Sequence, residues 1–139
     1  MHQPMANAAV QLSMDRPTLF ERLGGETAIM ATVDAFYERL IHDSLVGPMF
    51  DGMDVEAITK KQVAFLARAF QGPTVYHGRP LNESHRQLVE EHGMTDVHFD
   101  RVMEHLDEVL GELGVEDAER KEVLEVVEAT REQVLGRRL

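Results

Sequence analysis

The sequence predicts an all-α protein. Apolar residues recur at spacings of three and four over several long stretches, most of these are bounded by a capping residue or a glycine, and no segment reads as a strand. With 139 residues, 43% of them hydrophobic, the chain is long enough for one domain with its own core and too short for two.

Residues 1–17 hold Pro4, Asn7 and Pro17 without a sustained period and read as an N-terminal extension, leaving residues 18–139 as the folded domain. Thr18-Leu19-Phe20-Glu21 has capping-box spacing, and Gly24-Gly25 stops the helix it opens, so the first helix is very short. Residues 26–42 form an amphipathic helix in which Ala28, Met30, Val33, Phe36, Tyr37 and Leu40 share the apolar side, carrying Tyr37 toward the core. Gly47-Pro48 breaks the chain, and Met49-Phe50 follow as an apolar plug. Residues 54–70 form the next helix, with Ile58, Lys61, Gln62, Phe65, Leu66 and Ala69 on adjoining strips. Lys61 and Gln62 are polar members of that face.

Gly72, Pro73, Gly78 and Pro80 make residues 71–80 a connection rather than a helix. It delivers a short helix capped by Asn82 and ended by Gly93, with His85 beside the apolar pair Leu88 and Val89. Residues 95–113 carry Phe99, Val102, Met103, Leu106, Val109, Leu110 and Leu113 on one stripe, ended by Gly114. A last helix over 116–135 has acidic first turns and Arg137-Arg138 after its end, both matching the helix dipole.

Composition narrows the chemistry. A net charge of −11 argues against nucleic acid or an anionic membrane surface as the partner. The chain has no cysteine, which removes disulfides, zinc ribbons, iron–sulfur clusters and thiol nucleophiles, so a metal would need histidine or oxygen ligands, or a cofactor. No stretch approaches the ~20 apolar residues of a membrane span and no secretory signal is evident, so a cytoplasmic protein is expected.

Tyr37, Gln62 and His85 are polar groups on faces that should be apolar. Each costs a few kcal/mol if buried without a partner. One bound ligand would satisfy all three; equally, Tyr37 could bond across helices, Gln62 face water and His85 cap a carbonyl. A core-facing imidazole takes either a hydrogen bond or a metal, and spacing alone leaves that choice open. The remaining histidines form no HExxH pair; His98 and His105, a heptad apart on an acidic helix, read as surface residues, as do the many carboxylates. Ser84-His85 adjacency does not make a triad, and Gly24-Gly25 is not a nucleotide loop.

Four motifs in order, Thr18-Leu19-Phe20-Glu21-Arg22-Leu23-Gly24-Gly25, Val33-Asp34-Ala35-Phe36-Tyr37-Glu38-Arg39, Lys61-Gln62-Val63-Ala64-Phe65-Leu66 and Ser84-His85-Arg86-Gln87-Leu88-Val89, resemble the group I truncated globins. The resemblance implies a globin-like two-on-two helical sandwich enclosing heme b (iron protoporphyrin IX). It implies His85 as the proximal iron ligand and Tyr37 and Gln62 as distal ligand-stabilising donors. Phe36, Phe50, Phe65, Leu66, Leu88, Phe99 and Val102 match heme-lining positions, and His92 falls at the helix end near the heme edge. Lys61 matches a distal position, and two roles are open to it: pairing with a heme propionate at the rim, or ligating the iron when deprotonated.

Three departures stand out. Ile58 replaces a glutamine common in the family, which predicts a smaller hydrogen-bond network; Gln71-Gly72 replaces a second glycine pair; and Thr130 replaces the histidine that links covalently to heme in some relatives, so no such link is expected. The resemblance implies reversible binding of dioxygen, with carbon monoxide and nitric oxide as further ligands, by a monomer or weak dimer. Dioxygen accepts electron density from ferrous iron, and phenol and amide donors suit the charge that builds on it. The alternative is nitric oxide dioxygenation with an external electron-donating reductase. A heme-free helical interaction module, with all three polar residues structural, is the third reading.

Overall fold

The computed structural model describes residues 17–71 and 86–136. His85, Asn82, the connection after Gln71, residues 1–16 and Arg137-Arg138 lie outside the described residues. Helix α1, Leu19–Leu23, opens on the expected capping box: the Glu21 amide donates to Thr18 Oγ1 (3.1 Å) and the Thr18 amide to Glu21 Oε1 (3.0 Å). It closes on Gly24 at φ 112°, a left-handed conformation that glycine alone adopts without strain. Helix α2, Gly25–Ile41, follows at once.

The core side of α2 is Ile29, Val33, Tyr37 and Leu40. Met30, expected inside, is 49% exposed. A one-residue shift of the stripe is enough, because Ala28, Ile29 and Met30 are all apolar and only the packing partner selects among them. Gly47–Phe50 is a single 3₁₀ turn with Pro48 in its first positions and Met49 buried. Helix α3, Val55–Ala69, is capped by Asp54, which accepts the Ala57 amide at 3.1 Å. Lys61 is exposed, while Val63 is the fully buried residue of α3, so the apolar strip is rolled away from the side that includes lysine.

Helix α4, Arg86–His92, ends at Gly93, φ 67°. Helix α5, Asp96–Glu112, buries Phe99, Leu106, Val109 and Leu110. Leu113, expected on that stripe, lies past the helix end and is 49% exposed. The expected single last helix is two: α6, Asp117–Glu128, and α7, Arg131–Val134. The break falls at Ala129-Thr130, where Thr130 Oγ1 donates to the Val127 carbonyl at 2.6 Å and caps what would otherwise continue.

Helix α2 packs on α3 and on α5, α5 packs on α6, and α1 bridges α2 and α6. That is the two-on-two sandwich. The amide of Phe20 donates to the carbonyl of Phe70 (2.9 Å), tying α1 to the end of α3, and Arg22 pairs with Glu119 and Glu122 of α6. Leu40, Leu110, Val33, Val46 and Val109 are the most deeply buried side chains, each contributing about 1.5–3 kcal/mol by leaving water. No helix among the described residues is long and apolar enough to cross a membrane.

Candidate functional site

Tyr37 projects from α2 into a set of aromatic and aliphatic side chains. Its ring meets Phe36 edge-on, with centroids 5.3 Å apart, and Phe50 of the 3₁₀ turn at 5.7 Å and 85° between planes. Such edge contacts fix the ring without engaging its oxygen. The residue is 8% exposed, and its hydroxyl has no hydrogen-bond partner among the described residues. Burial alone pushes the phenol's pKa above the ordinary tyrosine range, so the group is a neutral donor at physiological pH.

Gln62 of α3 is half-buried, and its amide likewise has no partner among the described residues. Tyr37 is thus a polar member of the apolar core with no partner among the described residues, and half-buried Gln62 stands on the neighbouring helix. Lys61, one residue earlier, stands in solvent and forms no ion pair among the described residues. Phe36, Phe50, Ile58, Leu66, Leu88 and Val102 are half-buried and pack against the same apolar cluster as Tyr37. They come from α2, the 3₁₀ turn, α3, α4 and α5. His92, the last residue of α4, is half-buried.

Two expected members stand apart. Phe99 and Phe65 belong to a second cluster with Val134, shared with the first through Met94 and Val127. The guanidinium of Arg131 lies 4.5 Å from the Phe99 ring centroid and is held by Asp96, Asp100 and Glu128, so one face of that ring is covered by α7. No group of three or more histidines and carboxylates among the described residues could hold a metal ion by itself.

Sequence reasoning missed a second polar cluster. Asp43, beyond the end of α2, is buried and accepts hydrogen bonds from the Leu45 and Val46 amides, Arg101 and His105. His105 is therefore not a surface residue: its side chain is 15% exposed. His98 also has a local task, accepting the Thr95 amide on Nδ1 at 3.1 Å. The two amides that Asp43 gathers are a turn signature legible in Asp43-Ser44; its link to α5 spans 62 positions and leaves no local trace.

Two pairs of packed helices around an apolar cluster, with a buried phenol unpartnered among the described residues, make a globin-type architecture. The chain matches the bacterial-like globin family over residues 18–136. A group 1 truncated hemoglobin of Tetrahymena pyriformis is 38% identical over 125 residues, spanning 89% of this chain and 100% of that protein. One from a Synechocystis species is 45% identical over 98 residues, or 70% of this chain and 79% of that protein. The crystal structure of the 2/2 hemoglobin from a Synechococcus species, in the cyanomet state and with covalently attached heme, superposes with a TM-score of 0.81 at 36% identity, covering 87% of this chain and 100% of that one. The chain belongs to the bacterial-like globins and, among them, to the group 1 truncated hemoglobins.

Proposed function

We propose that this protein binds heme b through His85 and holds diatomic ligands, dioxygen first, with hydrogen bonds from Tyr37 and Gln62. The observation that carries the reading is the Tyr37 hydroxyl, buried among aromatic rings and without a partner among the described residues. An orphaned buried donor costs about 1–3 kcal/mol, and a ligand that accepts from it removes that cost. The half-buried apolar residues around it suit a flat apolar macrocycle, so the donor set and the lining both fit heme.

Heme would supply an iron able to take neutral imidazole and a diatomic ligand. The chain's residues do the rest. His85 would hold the iron through one ring nitrogen, and its second ring nitrogen would need a hydrogen-bond acceptor to fix the tautomer. Phe36, Phe50, Leu66, Leu88 and Val102 exclude water from the macrocycle, with His92 at its edge and Phe65 and Phe99 supporting from the second cluster. Tyr37 donates to the ligand; its raised pKa keeps the proton on the phenol where it is needed. Gln62 donates from α3. Lys61, exposed and unpaired among the described residues, is the cation for a heme carboxylate.

An absorption spectrum tests this. Freshly purified or heme-reconstituted protein shows a Soret band that shifts with carbon monoxide, and His85→Ala loses stoichiometric heme. No Soret band after reconstitution leaves the heme-free helical module as the reading. Steady consumption of nitric oxide with an added reductant would assign an enzymatic role and a partner reductase; one stoichiometric reaction assigns binding alone.

A further inference from the structure

The polar cluster at the end of α2 is not used by the site above, yet it is built with care. The Asp43 side chain is 3% exposed. Its Oδ1 accepts the amides of Leu45 (2.7 Å) and Val46 (3.0 Å); its Oδ2 accepts from Arg101 Nε at 2.8 Å and lies 2.7 Å from His105 Nε2. On the far side of the imidazole, Arg39 Nε lies 3.5 Å from His105 Nδ1, while its two terminal nitrogens hold Glu112 (2.8 Å) and Glu108 (2.6 Å). Arg39 has only donors, so Nδ1 is the acceptor of the ring and Nε2–H donates to Asp43.

His105 is thus gripped from both sides by the α2 segment, through Arg39 and through Asp43. Leu40, between them, is 2% exposed, and Leu106, next to His105, packs in the same apolar cluster as Tyr37. Arg39 holds the last turn of α2 and Asp43 holds the turn just after it, so the two contacts together oppose a roll of the helix about its axis. Tyr37 lies about 200° around α2 from Arg39, so it leaves the helix on nearly the opposite side. A roll released on one side is therefore felt on the other, at the end of a long phenol.

We propose that His105 is a positioning residue for Tyr37: its hydrogen bond to Asp43 locks α2 onto α5 and so sets where the Tyr37 hydroxyl points. The functional half of this rests on the heme-ligand reading; the structural half does not. The chain has two tyrosines and no tryptophan, so Tyr76→Phe leaves Tyr37 as the sole tyrosyl emitter, read by exciting at wavelengths that phenylalanine does not absorb.

In the full chain without heme, His105→Leu in that background is expected to raise acrylamide quenching of Tyr37 about twofold, and His105→Gln, which keeps a donor for Asp43, to restore it. With heme bound, His105→Leu is expected to speed oxygen dissociation about threefold or more when Tyr37 is present and to have no effect in Tyr37→Phe. Unchanged quenching, or an equal acceleration in both backgrounds, overturns the proposal. A protein that forms no oxygen complex overturns the heme reading instead, and the quenching comparison still decides the clamp. Should His105→Leu fail to fold, Asp43→Asn weakens the same link from the other side and carries the same expected outcomes.

Discussion

His105 Nε2 stands 2.7 Å from Asp43 Oδ2, joining α5 to the segment that ends α2 through a carboxylate almost wholly out of water. Burial by itself would raise the Asp43 pKa; hydrogen bonds from His105, Val46, Arg101 and Leu45 outweigh it and hold the carboxyl well below its usual range. A group whose folded pKa is depressed contributes stability that is complete above its unfolded value, about 4, and is lost as pH falls toward the folded value. Asp43→Asn should therefore lower the melting temperature at pH 7, and the gap to the parent protein should close as pH drops below about 4. Thermal unfolding followed at pH 7, 4 and 2.5 checks this; a gap that stays constant with pH assigns the loss to packing rather than to charge.

Tyr37 presents the opposite balance, a polar group whose partner the folded chain does not supply among its described residues. Removing the hydroxyl should cost the heme-free protein little in stability, because no hydrogen bond to a described residue is lost with it. With heme and oxygen bound the same change removes a donor worth roughly 1.5–3 kcal/mol, so Tyr37→Phe should speed oxygen dissociation at least tenfold. Stopped-flow displacement of oxygen by carbon monoxide gives the rate, and a melt of the heme-free form gives the stability. An unchanged rate would remove Tyr37 from the ligand's hydrogen bonds.

What could be read in advance follows the range of the interaction. The α1 capping box and the stop at Gly24 depend on residues at most a few positions apart, and both stand as the sequence indicates. The direction Tyr37 faces was also legible, since it needs only a helical period. Choices between adjacent apolar residues were not: Ile29 rather than Met30, and Val63 rather than the strip holding Lys61, are selected by the helices packed opposite. The kink at Thr130 depends on a side-chain hydroxyl competing with the backbone, which a hydrophobic period does not register. The Asp43–His105 link joins distant positions in a chain rich in carboxylates, where nothing marked this one for burial. The reading of His85 came from motif resemblance, not from periodicity.

Lys61 separates affinity for heme from stability of the chain. Its side chain is exposed and pairs with no carboxylate among the described residues, so Lys61→Ala should change the stability of the heme-free protein by less than about 0.5 kcal/mol. If the ammonium pairs with a heme carboxylate, heme transfer to an excess of apomyoglobin should quicken a few-fold, in line with an exposed ion pair of about 0.2–1 kcal/mol. The competing role, iron ligation, shows as a low-spin spectrum that grows with pH and disappears in Lys61→Ala.

Thr130 bears on how heme is retained. Its Oγ1 is committed to the Val127 carbonyl at 2.6 Å, and a hydroxyl has none of the nucleophilicity of a neutral imidazole toward a vinyl group. Acidified butanone should therefore extract the heme completely, and the pyridine hemochrome should be that of unmodified heme b. Heme remaining with the protein after extraction would point to a covalent link formed elsewhere on the chain.

Gly47 ties the fold to the site through bare steric contact. It is buried in the 3₁₀ turn, its amide donates to the Asp43 carbonyl at 2.8 Å, and a Cβ at this position would stand 2.7 Å from the Ile41 carbonyl oxygen. The obstacle is backbone at the end of α2, which cannot swing aside as a side chain would. Gly47→Ala should thus cost about 1–3 kcal/mol, as overpacking does, and lower the melting temperature by several degrees. Gly52, two residues past the turn, is the control: it has φ 79° and open space around its Cα, so Gly52→Asn keeps a tolerated left-handed residue and should unfold close to the parent. The turn also carries Phe50, whose ring meets Tyr37 at 5.7 Å, so displacing it moves a wall of the proposed ligand site. Gly47→Ala should for that reason change oxygen dissociation as well as stability, and Gly52→Asn neither; equal effects from the two substitutions would show that the turn's contact with α2 is not what holds Phe50 against Tyr37.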